Sequence, residues 1–363
     1  MGWLFCFLFM EKFIHAFNLV PGMGYGILGK FWKFFGDFEV AWKNFNLHLL
    51  EQLGLSESLS LQLMKVREMI QVDEEFEKLK RLNIVAFGRE STEFTLFLKE
   101  IPNPPFLIYR RGEPLDRHRK CVAVVGTRMP SLYGEKIAHE LSEQISLQGG
   151  TIVSGLAFGI DAKAHFAAVK NHRPTVAVLA SGVLNVTPAS HRFLAEEILK
   201  NGGTLISEYV TEVPSMKYRY LERNRLISGL CDSTVIIEAK TRSGALITAH
   251  HALEQNRTIY ALPGDITRPQ AHGCLRLIAD GARPILSIDQ TLIDLGFQGV
   301  HVEAQNFTPQ EKSIFIHLNK KPSSTEELLE LLDLSLPKLN VHLSLMELKG
   351  LIRKNHAMQW EVG

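Results

Sequence analysis

Between Met216 and Ala249 the chain reads MKYRYLERNRLISGLCDSTVIIEAKTRSGALITA, and three kinds of chemistry are packed into that run. Lys217, Arg219, Arg223 and Arg225 alternate with Tyr218 and Tyr220. Fixed cations between flat rings suit a single-stranded nucleic acid, whose phosphates need charge and whose unpaired bases need stacking surfaces. Tyr220 stands three residues after Lys217 and three before Arg223, so its face would sit between two phosphate contacts. The same residues would also serve as surface ion pairs and core-covering tyrosines, and the run alone does not choose. Next, Ser233 to Glu238 is a β-branched apolar run of the kind that makes a buried strand. Ser243 and Gly244 then stand directly before an apolar segment, where amides at a helix start would face whatever lies beyond the strand.

Two more glycine turns carry similar chemistry. Gly126, Thr127 and Arg128 follow the apolar run CVAVV, so Gly126 permits close backbone approach and Arg128 offers a two-pronged phosphate contact. Ser154-Gly155-Leu156-Ala157-Phe158-Gly159-Ile160-Asp161 turns from TIVS into a helix whose amides suit an anion. It is not GxGxxG, and no acidic residue ends the next strand to hold a ribose, which argues against a nicotinamide dinucleotide. Gly24 to Lys30, GYGILGK, matches most of a phosphate-binding loop, yet Phe31 stands where Ser or Thr must hold magnesium and no strand precedes it. The neighbouring LVPGMG fits either a helix-hairpin-helix turn or a plain helix-to-helix turn, because glycine marks both.

No nucleophile stands beside a base in this pattern. Asp161 and His165 share a helix face but read as a helix-start carboxylate and a hydrogen-bonded imidazole, while His250 and His251 lack a third metal ligand. The cysteines Cys6, Cys121, Cys231 and Cys274 include no CxxC pair, so neither structural zinc nor a disulfide framework is expected and a reducing cytoplasm fits best. Neither a metal nor a cofactor is predicted.

The elements that must position these residues follow from periodicity. From Cys121 onward, CVAVV, TIVS, TVAVLA, TLIS, STVIIEA and TIYALP alternate with helical segments starting near Tyr133, Gly159, His191 and Ser243. That alternation predicts an α/β domain, a Rossmann-like parallel sheet with helices on both faces, which takes ligands beyond the carboxyl ends of its strands. Residues 1–100 read as a small N-terminal all-helical domain, IPNPPF as a linker or the start of an edge strand, and residues 101–295 as the Rossmann-like domain. A polar linker through Gln305 precedes residues 306–363, three short helices and a β-hairpin in winged-helix order. The third of those helices carries only Lys338, His342 and Lys349, too few cations for major-groove base reading. The opening MGWLFCFLFM lacks a basic flank and a cleavage site and is too short to span a bilayer, so no membrane role is expected; an upstream start ahead of Met10 is an equal explanation. With 40 Lys and Arg against 39 Asp and Glu, the net charge is +1, so a nucleic-acid site must be a local patch.

Taken together, VAVVGTR, SGLAFGIDAKAH, LISE, ERNRLISGL, EAKTRSGALITA, ALPGD and HGCLRLIADGA resemble the bacterial DNA-processing protein A family, also called Smf, over about residues 105 to 290. The resemblance implies a non-catalytic protein that binds single-stranded DNA, hands it to the RecA recombinase during natural transformation, and pairs as a homodimer. It places the DNA pocket at Arg128, Lys217, Arg223 and Arg225 and at the amides around Ser154, Gly155, Gly159, Ser243 and Gly244, to which the residues' own chemistry adds Gly126, Tyr220 and Asn224. Leu221, where the family usually has proline, and the turn Thr187 to His191 depart from the family pattern at the pocket rim. A Rossmann-like phosphoribohydrolase of the lysine-decarboxylase-like group is the enzymatic alternative, but its PGGxGTxxE signature is missing from EAKTRSGALITAHHALE.

Overall fold

The computed structural model describes residues 2–94, 96–116, 118–298, 308–318, 321–332, 334–348, 351–355 and 358–362. The side chains at the extreme N-terminus, including Cys6, and Lys349 of the expected third C-terminal helix lie outside the described residues, as do residues 299–305 of the linker expected from Leu292 to Gln305. Contacts divide the chain into two units, Met1–Phe297 and Gln298–Gly363.

The first unit opens with six helices: α1 (Gly2–Asn18), α2 (Tyr25–Phe35), α3 (Phe38–Asn44), α4 (Leu47–Gln52), α5 (Glu57–Met69) and α6 (Val72–Arg81). Short polar residues start several of them, with Asp37, Asn46 and Ser56 accepting backbone N–H groups of the following turn. Their aromatic faces converge. Phe17 meets Phe31, Phe38, Trp42 and Phe45 with ring centroids 4.7 to 6.1 Å apart, and burying each such ring is worth roughly 1.5–3 kcal/mol. Lys30, the lysine of the loop-like GYGILGK, donates to the Leu53 and Gly54 carbonyls and so stitches α2 to the end of α4.

Strand β1 (Val85–Gly88) follows within the span expected to be helical, then α7 (Leu96–Glu100) and β2 (Leu107–Gly112). The alternating layers are β3 (Cys121–Gly126), α8 (Leu132–Leu147), β4 (Thr151–Ser154), α9 (Ile160–Lys170), β5 (Thr175–Val178), α10 (Arg192–Lys200), β6 (Thr204–Ser207), α11 (Lys217–Gly229), β7 (Ser233–Ile237), α12 (Gly244–Glu254) and β8 (Thr258–Ala261). Helix α13 (His272–Ala279), the two-residue β9 (Arg283–Pro284) and α14 (Ile288–Asp294) complete the unit.

All nine strands form one sheet in the order β1-β2-β6-β5-β4-β3-β7-β8-β9. Strands β3 to β9 run parallel, as the alternation of strand and helix predicts for β3 to β8, whereas β1 and β2 add an antiparallel edge. That edge carries Leu107 and Tyr109 into the aromatic core of the helices, so the helical layer is packed onto the sheet. The chain steps outward from β3 through β4, β5 and β6, then returns to the other side of β3 with β7. The crevice at the carboxyl ends of β3 and β7 is therefore the topological switch point, where open α/β sheets bind ligands.

The second unit contains α15 (Pro309–Leu318), α16 (Thr325–Leu331) and α17 (Leu336–Leu348), then β10 (Ile352–Lys354) paired antiparallel with β11 (Trp360–Val362). Ser324 and Glu327 form a capping box at the start of α16, and Ile314, Leu328, Leu343, Met346 and Trp360 form its core.

Candidate functional site

The switch point begins with a steric necessity. A Cβ on Gly126 would lie 1.9 Å from the Ile237 carbonyl oxygen, so only glycine lets β3 and β7 end this close together. Beyond it the loop to α8 is pinned by Glu238. The Thr127 amide donates to the Glu238 carbonyl at 2.8 Å, and the Glu238 carboxylate accepts from the Ser131 amide at 2.8 Å and from the Ser131 hydroxyl. Glu238 holds φ at 53°, a left-handed conformation that non-glycine residues take only when their surroundings enforce it. Arg128 is thereby carried on a fixed loop while its side chain stays exposed.

Helix α11 forms the opposite wall, and it enters the fold end-on. Lys217, Tyr218 and Leu221 are exposed, Tyr220 is half-buried, and every residue from Arg223 to Gly229 is buried. Such a helix shows no apolar stripe in its sequence, because burial runs along its length instead of around it. Its helical turn sends Tyr220 into the crevice and Tyr218 to another groove beside Met216 and Arg219. The Arg128 guanidinium lies 5.2 Å from the Tyr220 ring centre, a cation–π contact that joins the two walls.

The crevice between them has a volume of about 460 Å3. Eight of the expected residues line it: Gly126, Arg128, Lys217, Tyr220, Arg223, Asn224, Ser243 and Gly244. Lys240 and Arg242 also line it, and both are exposed. Sequence reasoning passed over them, although the signal was present in EAKTRSGA, where two cations flank the loop that ends β7. Ser243 caps α12 by accepting from the Ala245 amide at 3.3 Å, and Asn224 donates to the Gly244 carbonyl at 3.2 Å, tying that loop to α11.

Four expected residues lie elsewhere. Ser154 is buried and donates to the Val124 carbonyl at 2.6 Å, holding β4 to β3. Gly155 is buried against Arg223, and a Cβ there would come within 2.6 Å of the guanidinium. Gly159, at φ 76°, lies in a neighbouring groove. Arg225 is buried with Glu208 at 2.7 Å and faces a larger groove of about 730 Å3 between the helical layer and the sheet. That groove also holds Glu222, so its charge is balanced. The smaller crevice concentrates positive charge.

Beneath the crevice, burial governs the ionisable groups. Arg223 donates through Nη1 to the Gly155 carbonyl at 2.8 Å and to the Val178 carbonyl, and burial holds its pKa below the ordinary value. Asp161 accepts from the Gly155 amide at 3.1 Å and the Ala157 amide at 3.4 Å; burial raises its pKa, opposed by the Arg223 charge. His165 pairs through Nδ1 with the Thr175 hydroxyl at 2.9 Å, and burial, with His191 and Arg223 nearby, lowers it to about 3. Asp161 thus holds the turn before α9, whereas His165 bonds to Thr175 of β5 and not, as expected, to Asp161 or a loop. His250 and His251 lie 3.4 and 3.3 Å from Glu254. Among the described residues no cluster of His, Cys, Asp and Glu could hold a metal, and no helix is long and apolar enough to cross a membrane.

Comparison with known proteins gives the family and supports the fold. The family described as DNA recombination-mediator protein A matches residues 86–296. Protein Smf of Synechocystis is 35% identical over 287 residues, covering 77% of this chain and 71% of that protein. DNA processing protein DprA of Bacillus subtilis is 37% identical over 207 residues, covering 56% of this chain and 69% of its own length. Among solved structures, DNA processing protein A of Streptococcus pneumoniae superposes with a TM-score of 0.64 at 28% identity, over 79% of this chain and 98% of that one. The protein of the same name from Helicobacter pylori, whose structure describes a single-stranded DNA binding mode, gives 0.52 at 26% identity, over 58% and 95%.

Proposed function

The chain belongs to the DNA recombination-mediator protein A family, and from that premise we propose that it is a DNA-processing protein that binds single-stranded DNA in the crevice between β3 and β7. The observation that carries the proposal is the convergence of Arg128, Lys217, Lys240 and Arg242, all exposed, around the half-buried Tyr220. Phosphates would meet the cations and amides, and one base would lie on the Tyr220 face. With a net charge of +1, attraction for a polyanion must come from local patches, of which this crevice is one.

It acts as a binder and not a catalyst. The charged side chains under the crevice, Asp161 and Arg223, are bonded to the backbone that shapes it, so neither is offered to a substrate. In this role it coats incoming strands and delivers them to the RecA recombinase in the cytoplasm, working as a homodimer with two crevices on one strand. The free thiols of Cys121, Cys231 and Cys274 suit a reducing compartment.

Fluorescence anisotropy with labelled single strands across a salt series tests the proposal. Four phosphate contacts give a slope of log affinity against log salt of roughly −3. A flat response, or tighter binding to duplex, overturns it. Strand-exchange assays with recombinase test delivery, and sedimentation at micromolar concentration tests the dimer.

A further inference from the structure

Resting on that single-strand reading, we propose that the strand continues past the crevice, over Arg128, into a second groove where Phe158 and Phe166 stack the following bases. This groove has a volume of about 640 Å3 and shares Arg128 and Met129 with the crevice, so one strand can run through both.

Its floor is unusual for the surface of a charged crevice. Phe158 and Phe166 are 48% and 43% exposed, and Met129 on the rim is 77% exposed. Exposed apolar groups that cluster mark a binding surface. The two rings come from adjoining elements: Phe158 precedes α9, and Phe166 shares a face of α9 with Lys163, three residues earlier. Phe158 is held edge-on against His191, with ring centres 4.9 Å apart.

The junction between the grooves is rigid. Gly159 is at φ 76°, and a Cβ there would lie 2.3 Å from the Thr127 carbonyl oxygen. That absence of a side chain lets the Arg128 loop rest directly on the turn carrying Phe158, and the Ile160 amide donates to the Thr127 carbonyl at 3.2 Å. A strand bound at Arg128 is therefore delivered to Phe158 without a loop having to order.

Charge selects the occupant. Arg128 is exposed and makes no ion pair among the described residues, and Lys163 is the groove's second cation. The carboxylate in the groove, Glu135, is paired with Lys163 at 2.8 Å. Two open aromatic faces beside Arg128, continuous with a cationic crevice, suit the next nucleotides of a polyanion that also offers flat bases.

The experiment uses the full chain and two labelled oligothymidylates, one of about 4 nucleotides, which fills the crevice alone, and one of about 12, which reaches the second groove. Wild type is expected to bind the longer strand more tightly. Phe158→Ala and Phe166→Ala should each weaken the longer strand at least about fivefold, leave the shorter within about twofold, and keep wild-type thermal stability. Phe166→Tyr, which retains the aromatic face, should restore length-dependent binding. Equal wild-type affinity for both lengths, or alanine variants that bind the longer strand normally, overturns the inference while leaving the crevice intact. Binding of neither length overturns the single-strand reading itself. Alanine variants that bind both lengths normally but change sedimentation would assign the rings to contact with a second copy of this chain.

Discussion

Helix α11 divides into two halves of similar composition and opposite use. Its first turn holds Lys217 exposed at the crevice, with Tyr220 half-buried beside it; its second half buries Arg223 and Arg225 completely enough that their guanidinium groups are held by Gly155, Val178 and Glu208. Lysine and arginine six residues apart on one helix, Lys217 and Arg223, thus do unlike work. Solvent access decides. In water a cation keeps its full capacity to meet a phosphate, whereas a buried guanidinium must satisfy its donors within the protein. The exposed half should therefore answer to salt and DNA, and the buried half to acid and heat.

The largest expected effect comes from the buried half. Arg223→Ala removes the donor to two carbonyls and the countercharge beside Asp161, and breaking a buried charged network by one partner costs about 3–5 kcal/mol. Thermal melts should show a large drop, and DNA binding should fail with the fold. Normal stability with selective loss of binding would instead move Arg223 into direct DNA contact and erase the contrast between the halves.

Acid should find the same region next. His165 has its folded pKa lowered from 6.5 to about 3, so the folded state prefers the neutral ring. Stability that is complete above pH 6.5 is then lost as pH falls through that value toward about 3. His165→Gln should flatten this acid limb in melting curves taken across the range. Glu11 opposes it: burial raises its pKa from 4.5 to about 7, so its contribution is present below 4.5 and lost as pH rises through 7.

For the exposed half, Tyr220→Ala should cost about 1–3 kcal/mol of binding, roughly fivefold to over a hundredfold, with melting and salt slope near wild type. Tyr220→Phe should change little. A collapse in stability with normal binding would make the ring part of the core. Lys217→Ala should weaken binding several-fold for all sequences alike and reduce the salt slope by about 0.7. The smallest effect is expected from Tyr218→Ala, which should bind within about twofold, because the helical turn directs Tyr218 away from the crevice. A larger loss would mean the strand passes both sides of the helix.

Local sequence reported a great deal of this molecule. Short β-branched runs from CVAVV to TIYALP became the parallel strands β3 to β8, because a strand buried on both faces needs apolar residues at every position and therefore announces itself without context. Glycine turns after β3, β4 and β7 marked the ligand-binding end, and a cluster of aromatic and cationic residues marked α11. Less visible were β1 and β2, whose sequences are mixed because one antiparallel edge serves both the sheet and the helical layer. Lys240 and Arg242 escaped notice for a related reason: two cations on a loop have no period by which to be recognised.

Residues adjacent along the chain set the parallel strands, the helices between them and the residue types that gather at the carboxyl end of the sheet. Which of those residues face solvent follows from packing between distant segments. Whether an arginine meets DNA or a carbonyl depends on which backbone oxygens remain unpaired above the sheet, and for Arg223 these belong to Gly155 and Val178, 68 and 45 residues distant in sequence. Strand formation is set by neighbours along the chain, whereas the partner of a buried charge is set by neighbours in space.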